Sequence, residues 1–224
     1  MKREREADEV EQSLSRRSFL KGAGGVAAGG VLATDLASAE SATSSSRPGP
    51  HQTLEASVQV RFHLNGEEVE LEVEPRTMLL SALRDRLGHT AAKAVCERGN
   101  CGACTILLDD EPVYSCLTLA VRAEGRQVRT AGGLADGEEL SPVQEAMVTS
   151  DGMMCGFCTP GFAVSVTACL EKNPMATDGE LRAACSGNLC RCGTYPHVFS
   201  AALAAGREMV ARREAGGGRP GGGR

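Results

Sequence analysis

Cys96, Cys101, Cys104 and Cys116 are spaced C-x4-C-x2-C-x11-C within Val95 to Cys116, VCERGNCGACTILLDDEPVYSC. Thiolate sulfur is a soft metal ligand. The first three cysteines fit one short loop wrapped around a compact metal centre, and the fourth returns after a strand-like excursion. Zinc loops favour two C-x2-4-C pairs, whereas C-x4-C-x2-C followed by a later cysteine suits a [2Fe–2S] cluster. Gly99 and Gly102 stand between the ligand candidates, where the chain must bend tightly and bring its N–H groups towards sulfur. A second set follows, Cys155-x2-Cys158 and Cys190-x1-Cys192. The C-x-C pair is unusual for zinc and for disulfides, because two neighbouring side chains must meet one centre; a second [2Fe–2S] cluster accounts for it.

Two more of the ten cysteines, Cys169 and Cys185, stand outside both sets and read as buried, inert thiols. His63 and His89 lie apart from the cysteine motifs and read as surface residues rather than ligands. Many cysteines in an exported chain usually mean disulfides, and in a cytosolic one metal. The first 39 residues settle which rule applies. Ser15-Arg16-Arg17-Ser18-Phe19-Leu20-Lys21 has the form of a twin-arginine export signal. An apolar run from Gly22 to Ala33 follows, too short for the roughly 20 residues that span a bilayer. Ala37-Ser38-Ala39 offers a cleavage site. Twin-arginine export carries folded proteins, so the thiolates can be committed to iron in the reducing cytosol first. The expected location is the periplasm, with the export machinery as a partner and no stable membrane span.

The elements that must position these cysteines are legible between turn signals. Residues 40–56, containing SATSSSRPGP, read as a flexible linker. Val58, Val60, Phe62 and Leu64 alternate with polar residues, Asn65-Gly66 turns, and Val69, Leu71 and Val73 alternate again, which predicts a β-hairpin. A helix is expected from a Thr77 cap to Leu87, with Leu79, Leu80, Leu83 and Leu87 on one face and Gly88 ending it. Strands at Thr105–Leu108 and Pro112–Ser115 flank an Asp109-Asp110 turn. A hairpin, a crossing helix and further strands suggest a β-grasp sheet over residues 57–131. Val128 to Asp136 reads as the crossing between domains.

From Ser141 the pattern is helical, giving an α+β chain with an all-α second domain at 137–213. Ser141-Pro142 and Thr159-Pro160 each fit N-cap and N1. Asn173-Pro174 ends the helix that begins at Thr159, Thr177 or Asp178 caps the next, and a last helix runs from Pro196 to about Arg213. The pair Cys155 and Cys158 thus precedes a helix N-terminus, where N–H groups and the dipole favour an anionic centre. Residues 214–224 read as a disordered tail. Aromatic content is 3% with no Trp, so the core must be aliphatic, and bound metal would add folding free energy. A net charge of −5 without a basic tract beyond the N-terminus argues against nucleic acid.

Taken together, CERGNCGAC, MCGFCTPGF and SGNLCRCGTY resemble the iron–sulfur subunit of the xanthine oxidase family of molybdenum hydroxylases, over about residues 57–212. The resemblance implies a β-grasp domain and a helical-bundle domain with one [2Fe–2S] cluster each. It implies Cys96, Cys101, Cys104 and Cys116 as ligands of the first cluster, and Cys155, Cys158, Cys190 and Cys192 as ligands of the second, which lies nearer the molybdenum. It implies partner chains that carry a molybdopterin cofactor and FAD, with electrons from oxidation of an aldehyde or N-heterocycle passing along this chain. No catalytic residue is then expected here. A free-standing two-cluster carrier is the alternative, and a structural zinc protein is a third reading. One position departs from the family: where a Gln amide commonly contacts the pterin, this chain has Met154, which offers apolar packing instead.

Overall fold

A computed structural model of the chain describes residues 57–215. The expected signal at 1–39, the linker to residue 56 and the tail beyond Ala215 lie outside the described residues.

The hairpin forms where the alternation places it, as β1 (Val58–Leu64) and β2 (Glu67–Val73) in antiparallel register from Val58↔Val73 to Leu64↔Glu67. Asn65 and Gly66 have φ of 53° and 93°, the two left-handed residues that a type I′ turn needs. Asp109 and Asp110, at φ 50° and 64°, repeat the device between β3 (Thr105–Leu108) and β4 (Glu111–Tyr114). The Gln127 N–H and the Arg126 guanidinium donate to the Asp109 carboxylate, which holds its pKa below the usual range and braces the turn.

β5 (Gln127–Arg129) completes a five-stranded sheet ordered β2-β1-β5-β3-β4, parallel to β1 and antiparallel to β3. The crossing between lobes therefore starts after this strand, not at Val128. A strand of three residues is too short to display an alternation, yet Val128 is buried at the centre of the sheet. On the outer strand β2, Glu67, Glu68, Glu70 and Glu72 are acidic, and Arg61 of β1 pairs with Glu68 and Glu70.

The helix expected from Thr77 begins later and winds differently. α1 spans Leu79–Ser81 and continues as a π-helical turn, Ala82–Arg86. Thr77 does not cap it, because this backbone is already engaged. The Thr77 carbonyl accepts from Ala120 N–H, and Leu79 N–H donates to Thr118, so Met78 is held extended in a bridge to Leu119. Phe62, Leu79, Leu83 and Ile106 are fully buried beneath, each contributing roughly 1.5–3 kcal/mol of transfer free energy.

Four helices make the second lobe. α2 (Pro142–Thr149) starts with a complete capping box between Ser141 and Gln144, and α4 (Asp178–Ala184) with one between Thr177 and Glu180. α3 spans Thr159–Lys172 and α5 spans Tyr195–Glu214, so Glu214 belongs to the last helix rather than the tail. At α3 the N-cap is Cys158, and Thr159 is the first helical residue, its hydroxyl buried without a hydrogen-bond partner. Residues Gly161 to Ala168 are all buried because α3 is covered on both sides. One side packs on the helical core of Met147, Phe162, Val166, Leu170, Leu181 and Val198. Its other side brings Val164 and Ala168 against Leu107 of β3. Arg129 of β5 clasps both carboxylate oxygens of Glu171 at 2.7 Å, and Lys172 reaches Glu111 of β4 at 2.8 Å, so the end of α3 is tied to the sheet.

Candidate metal centres

Strand register creates half of the first cysteine set. β3 and β4 pair Thr105 with Tyr114, so the residues just beyond the ladder, Cys104 and Cys116, come together. Ser115 secures the junction by donating through its N–H and its hydroxyl to the Cys104 carbonyl, at 3.3 and 2.7 Å. Both thiols are buried and hydrogen-bonded to each other, and burial pushes Cys104 up to about 11. The other half comes from the loop. Cys96 is drawn down to about 6, chiefly by the Arg98 N–H, with further hydrogen bonds from the Cys101 thiol and the N–H groups of Asn100 and Cys101. Glu97, Gly99 and Gly102 adopt φ of 51°, 74° and 69°, which turns successive N–H groups inward. The Tyr114 phenol, raised first by burial, is raised further by the charges of Cys104, Cys101, Cys116 and Cys96. One ring edge thus lies within electrostatic reach of all four sulfurs.

The second set is assembled from two loops that enter helices. Cys155 and Cys158 precede α3, while Cys190 and Cys192 lie between α4 and α5. Cys158 hydrogen-bonds Cys190, and Cys155 hydrogen-bonds Cys192. Burial and the bond to Cys190 push Cys158 up to about 12. Burial also pushes on Cys190, but the Thr194 hydroxyl at 3.1 Å, the Thr194 N–H, Cys158 and the Cys192 N–H outweigh it and bring that thiol down to about 7. The Cys190 N–H donates to the Tyr195 hydroxyl at 2.8 Å, and the Tyr195 ring is held edge-on to Phe162 and stacked on Phe199. Here Cys155 and Cys192 are exposed, and so, in the same two loops, are Met154 (72%), Phe157 (55%) and Leu189 (54%).

The structure therefore brings together the thiols of each expected set, in pairs: Cys96 with Cys101, Cys104 with Cys116, Cys155 with Cys192, and Cys158 with Cys190. Among the described residues, no three His, Cys, Asp or Glu side chains converge on a single ion position. Tetrahedral zinc needs four ligands around one point. Pairs of soft thiolates fit a two-iron cluster held by four cysteines. Cys185 is buried, its thiol pushed up to about 12 by burial, and lies outside both sets. Cys169 is only half-buried, packed against the edge of the helical core. His89 is exposed, whereas His63 is half-buried with Nδ1 lacking a partner. Sequence reading missed Tyr114, Asn188, Thr194 and Tyr195 around the thiols. Only the clustering of three of them beside Cys190 and Cys192 hinted at it.

Comparison with known proteins agrees with this geometry. Residues 62–135 match a 2Fe-2S iron-sulfur cluster binding domain, and residues 130–203 match a [2Fe-2S] binding domain. The chain is 46% identical to the nicotine 6-hydroxylase small subunit of Paenarthrobacter nicotinovorans, over 70% of this chain and 92% of that one. The chain belongs to the iron–sulfur subunits of the xanthine oxidase family of molybdenum hydroxylases. As such a subunit it carries a β-grasp domain and a helical domain, each for one [2Fe–2S] cluster, within a molybdenum-dependent oxidoreductase. It is 35% identical to the aldehyde oxidoreductase iron-sulfur-binding subunit PaoA of Escherichia coli (strain K12), over 84% of this chain and 86% of that one. The crystal structure of quinoline 2-oxidoreductase from Pseudomonas putida 86 superposes with a TM-score of 0.67 at 41% identity, covering 70% of this chain and 97% of that one. Residues 13–33 match a TAT (twin-arginine translocation) pathway signal sequence. Among the described residues, no helix is long and apolar enough to cross a membrane.

Proposed function

We propose that this subunit relays electrons from a molybdopterin-binding large subunit towards an FAD-binding medium subunit during oxidative hydroxylation of an aldehyde or N-heterocycle. Cys96, Cys101, Cys104 and Cys116 hold one cluster over the sheet edge, and Cys155, Cys158, Cys190 and Cys192 hold the other between helices. The substrate class follows from relatives named for nicotine, aldehyde and quinoline oxidation. A bound [2Fe–2S] cluster supplies reversible one-electron storage. The chain's own part is ligation, hydrogen bonding and shielding. N–H groups of residues 98, 100 and 101 stabilise negative charge at Cys96, while Thr194 and the Cys192 N–H do so at Cys190. Hydrogen bonds to sulfur favour the more negative, reduced state and raise the potential.

The observation that carries the reading is the two-by-two pairing of thiols in both sets. Iron and sulfide analysis with electron paramagnetic resonance (EPR) of the reduced, purified complex tests it. Four irons per chain and two distinct signals, together integrating to two spins, are expected. One signal class integrating to a single spin per chain overturns it.

The mature subunit functions in the periplasm, delivered folded by the twin-arginine machinery, a reading supported by the signal match at residues 13–33. Replacing Arg16 and Arg17 together by Lys is expected to retain the cluster-loaded chain in the cytoplasm. Fractionation that finds unchanged periplasmic activity in the double variant overturns this placement.

A further inference from the structure

Asn188 lies between the two cysteine sets and uses every polar atom of its side chain. It is 4% exposed. Its Nδ2 donates to the Gly102 carbonyl at 3.0 Å and stands 3.4 Å from Thr105 Oγ1, while its Oδ1 accepts from Ser165 Oγ at 2.8 Å. Gly102 separates Cys101 from Cys104 in the first loop, Ser165 belongs to α3, and Asn188 stands two residues before Cys190. One carboxamide therefore bridges the first cysteine loop, the central helix and the second cysteine loop. Beside it the Leu189 N–H donates to the Cys101 carbonyl at 2.9 Å. The two sets are thus joined by one backbone hydrogen bond, between a ligand candidate and the residue preceding another.

The surroundings leave Asn188 no slack. A Cβ at Gly102 would fall 2.6 Å from Asn188 Nδ2 and 2.5 Å from the Gly187 carbonyl. At Gly161 it would fall 2.3 Å from the Gly102 carbonyl, and at Gly187 only 1.7 Å from the Tyr114 hydroxyl. Gly102 and Gly161 let these backbones touch, and Gly187 leaves room for the Tyr114 hydroxyl. The chemistry is as selective as the shape. The Gly102 carbonyl accepts from the Thr105 N–H and hydroxyl within its own loop, and Asn188 adds the donor that comes from the other loop, while the Ser165 hydroxyl donates to the acceptor end of Asn188. Aspartate has the same size but no N–H, so it loses the donation to Gly102, and its carboxylate facing that carbonyl repels it.

We propose that Asn188 is a positioning residue that sets the separation of the two clusters and so the rate of electron exchange between them. This rests on the eight cysteines being the cluster ligands. In that exchange one cluster gives up the electron that the other takes, and no bond is made or broken. Loosening the bridge leaves each cluster on its own thiolates but lets the two loops drift apart.

The test uses the cluster-loaded complex with Asn188→Asp and, separately, Ser165→Ala. Iron per chain, the magnetic interaction between the two reduced clusters in low-temperature EPR, and the rate of inter-cluster equilibration after partial flash reduction are measured. Asn188→Asp is expected to keep four irons, weaken the magnetic interaction and slow equilibration several-fold. Ser165→Ala is expected to do the same to a smaller degree. Four irons with the wild-type interaction and rate in both variants overturns the proposal. If Asn188→Asp loses iron or does not fold, Ser165→Ala decides alone: a weakened interaction supports the proposal and an unchanged one overturns it. A wild-type complex without two cluster signals defeats the ligand assignment itself, an outcome distinct from failure of the positioning role.

Discussion

The two cysteine sets, proposed here to bind the same kind of centre, differ in how far the chain buries them. In the first, Cys104 and Cys116 are buried and Cys96 and Cys101 half-buried, with the Tyr114 phenol within electrostatic reach of all four. In the second, Cys155 and Cys192 are exposed, as are Met154, Phe157 and Leu189 close by in the chain. A sheet edge can fold a loop back over a centre, whereas a gap between helix ends cannot close itself. The exposed apolar side chains beside the second set are suited to burial beneath a neighbouring subunit.

The largest effect that can break this contrast comes from the ligand positions. Cys104→Ser and Cys155→Ser are each expected to halve the iron content. Only Cys104→Ser is expected to destabilise the iron-free chain as well, by about 1–3 kcal/mol, since it buries a hydroxyl in a packed junction. Cys155→Ser, at an exposed position, should shift the unfolding midpoint by the equivalent of about 0.5 kcal/mol or less. Thermal unfolding of the iron-free variants distinguishes the two, and equal losses would mean the sites are equally enclosed.

A chelator sharpens the comparison next. In the isolated subunit the second centre is expected to release iron well before the first, and assembly with the partner subunits should remove most of that difference. Following the two EPR signals over time measures both rates; simultaneous loss in the isolated chain would contradict the shielding difference.

The smallest effect separates surroundings from backbone strain. Gly99 and Gly156 have nearly the same left-handed φ, 74° and 78°, one in each cysteine loop. An Ala at either position costs roughly 1–2 kcal/mol for the conformation alone. At Gly156 nothing lies within 4 Å of the added methyl, but at Gly99 it would meet Leu117 Cδ1 at 2.3 Å. Leu117 is exposed and can swing aside, so the additional cost is about 0.5–1.5 kcal/mol. Paired denaturant titrations of Gly99→Ala and Gly156→Ala read this difference, and no difference would show the first loop to be as open as the second.

The cysteine spacings and turn dipeptides were legible because their physics is local. Asn65-Gly66 needs no partner to prefer its turn, and Ser141 caps α2 through a residue three positions away. What escaped was decided by distant residues. Thr77 loses its cap to pairing with residues 118–120, β5 exists only because β1 and β3 flank it, and Thr159 yields the N-cap position to a cysteine. Asn188 showed the same limit within the site. In the sequence it is one polar residue beside a glycine, and its meaning comes from Gly102, 86 positions away along the chain.

The acidic outer strand has a consequence for the time this chain spends alone. β2 forms one margin of the sheet, and its unpaired backbone groups could receive another chain's strand. Glu67, Glu68, Glu70 and Glu72 line that margin. A second copy approaching edge to edge would bring like charges together, which disfavours the continuous sheet that leads to aggregation. A carrier that must acquire its metal, await its partners and cross a membrane folded thus keeps its most adhesive border repellent to its own kind.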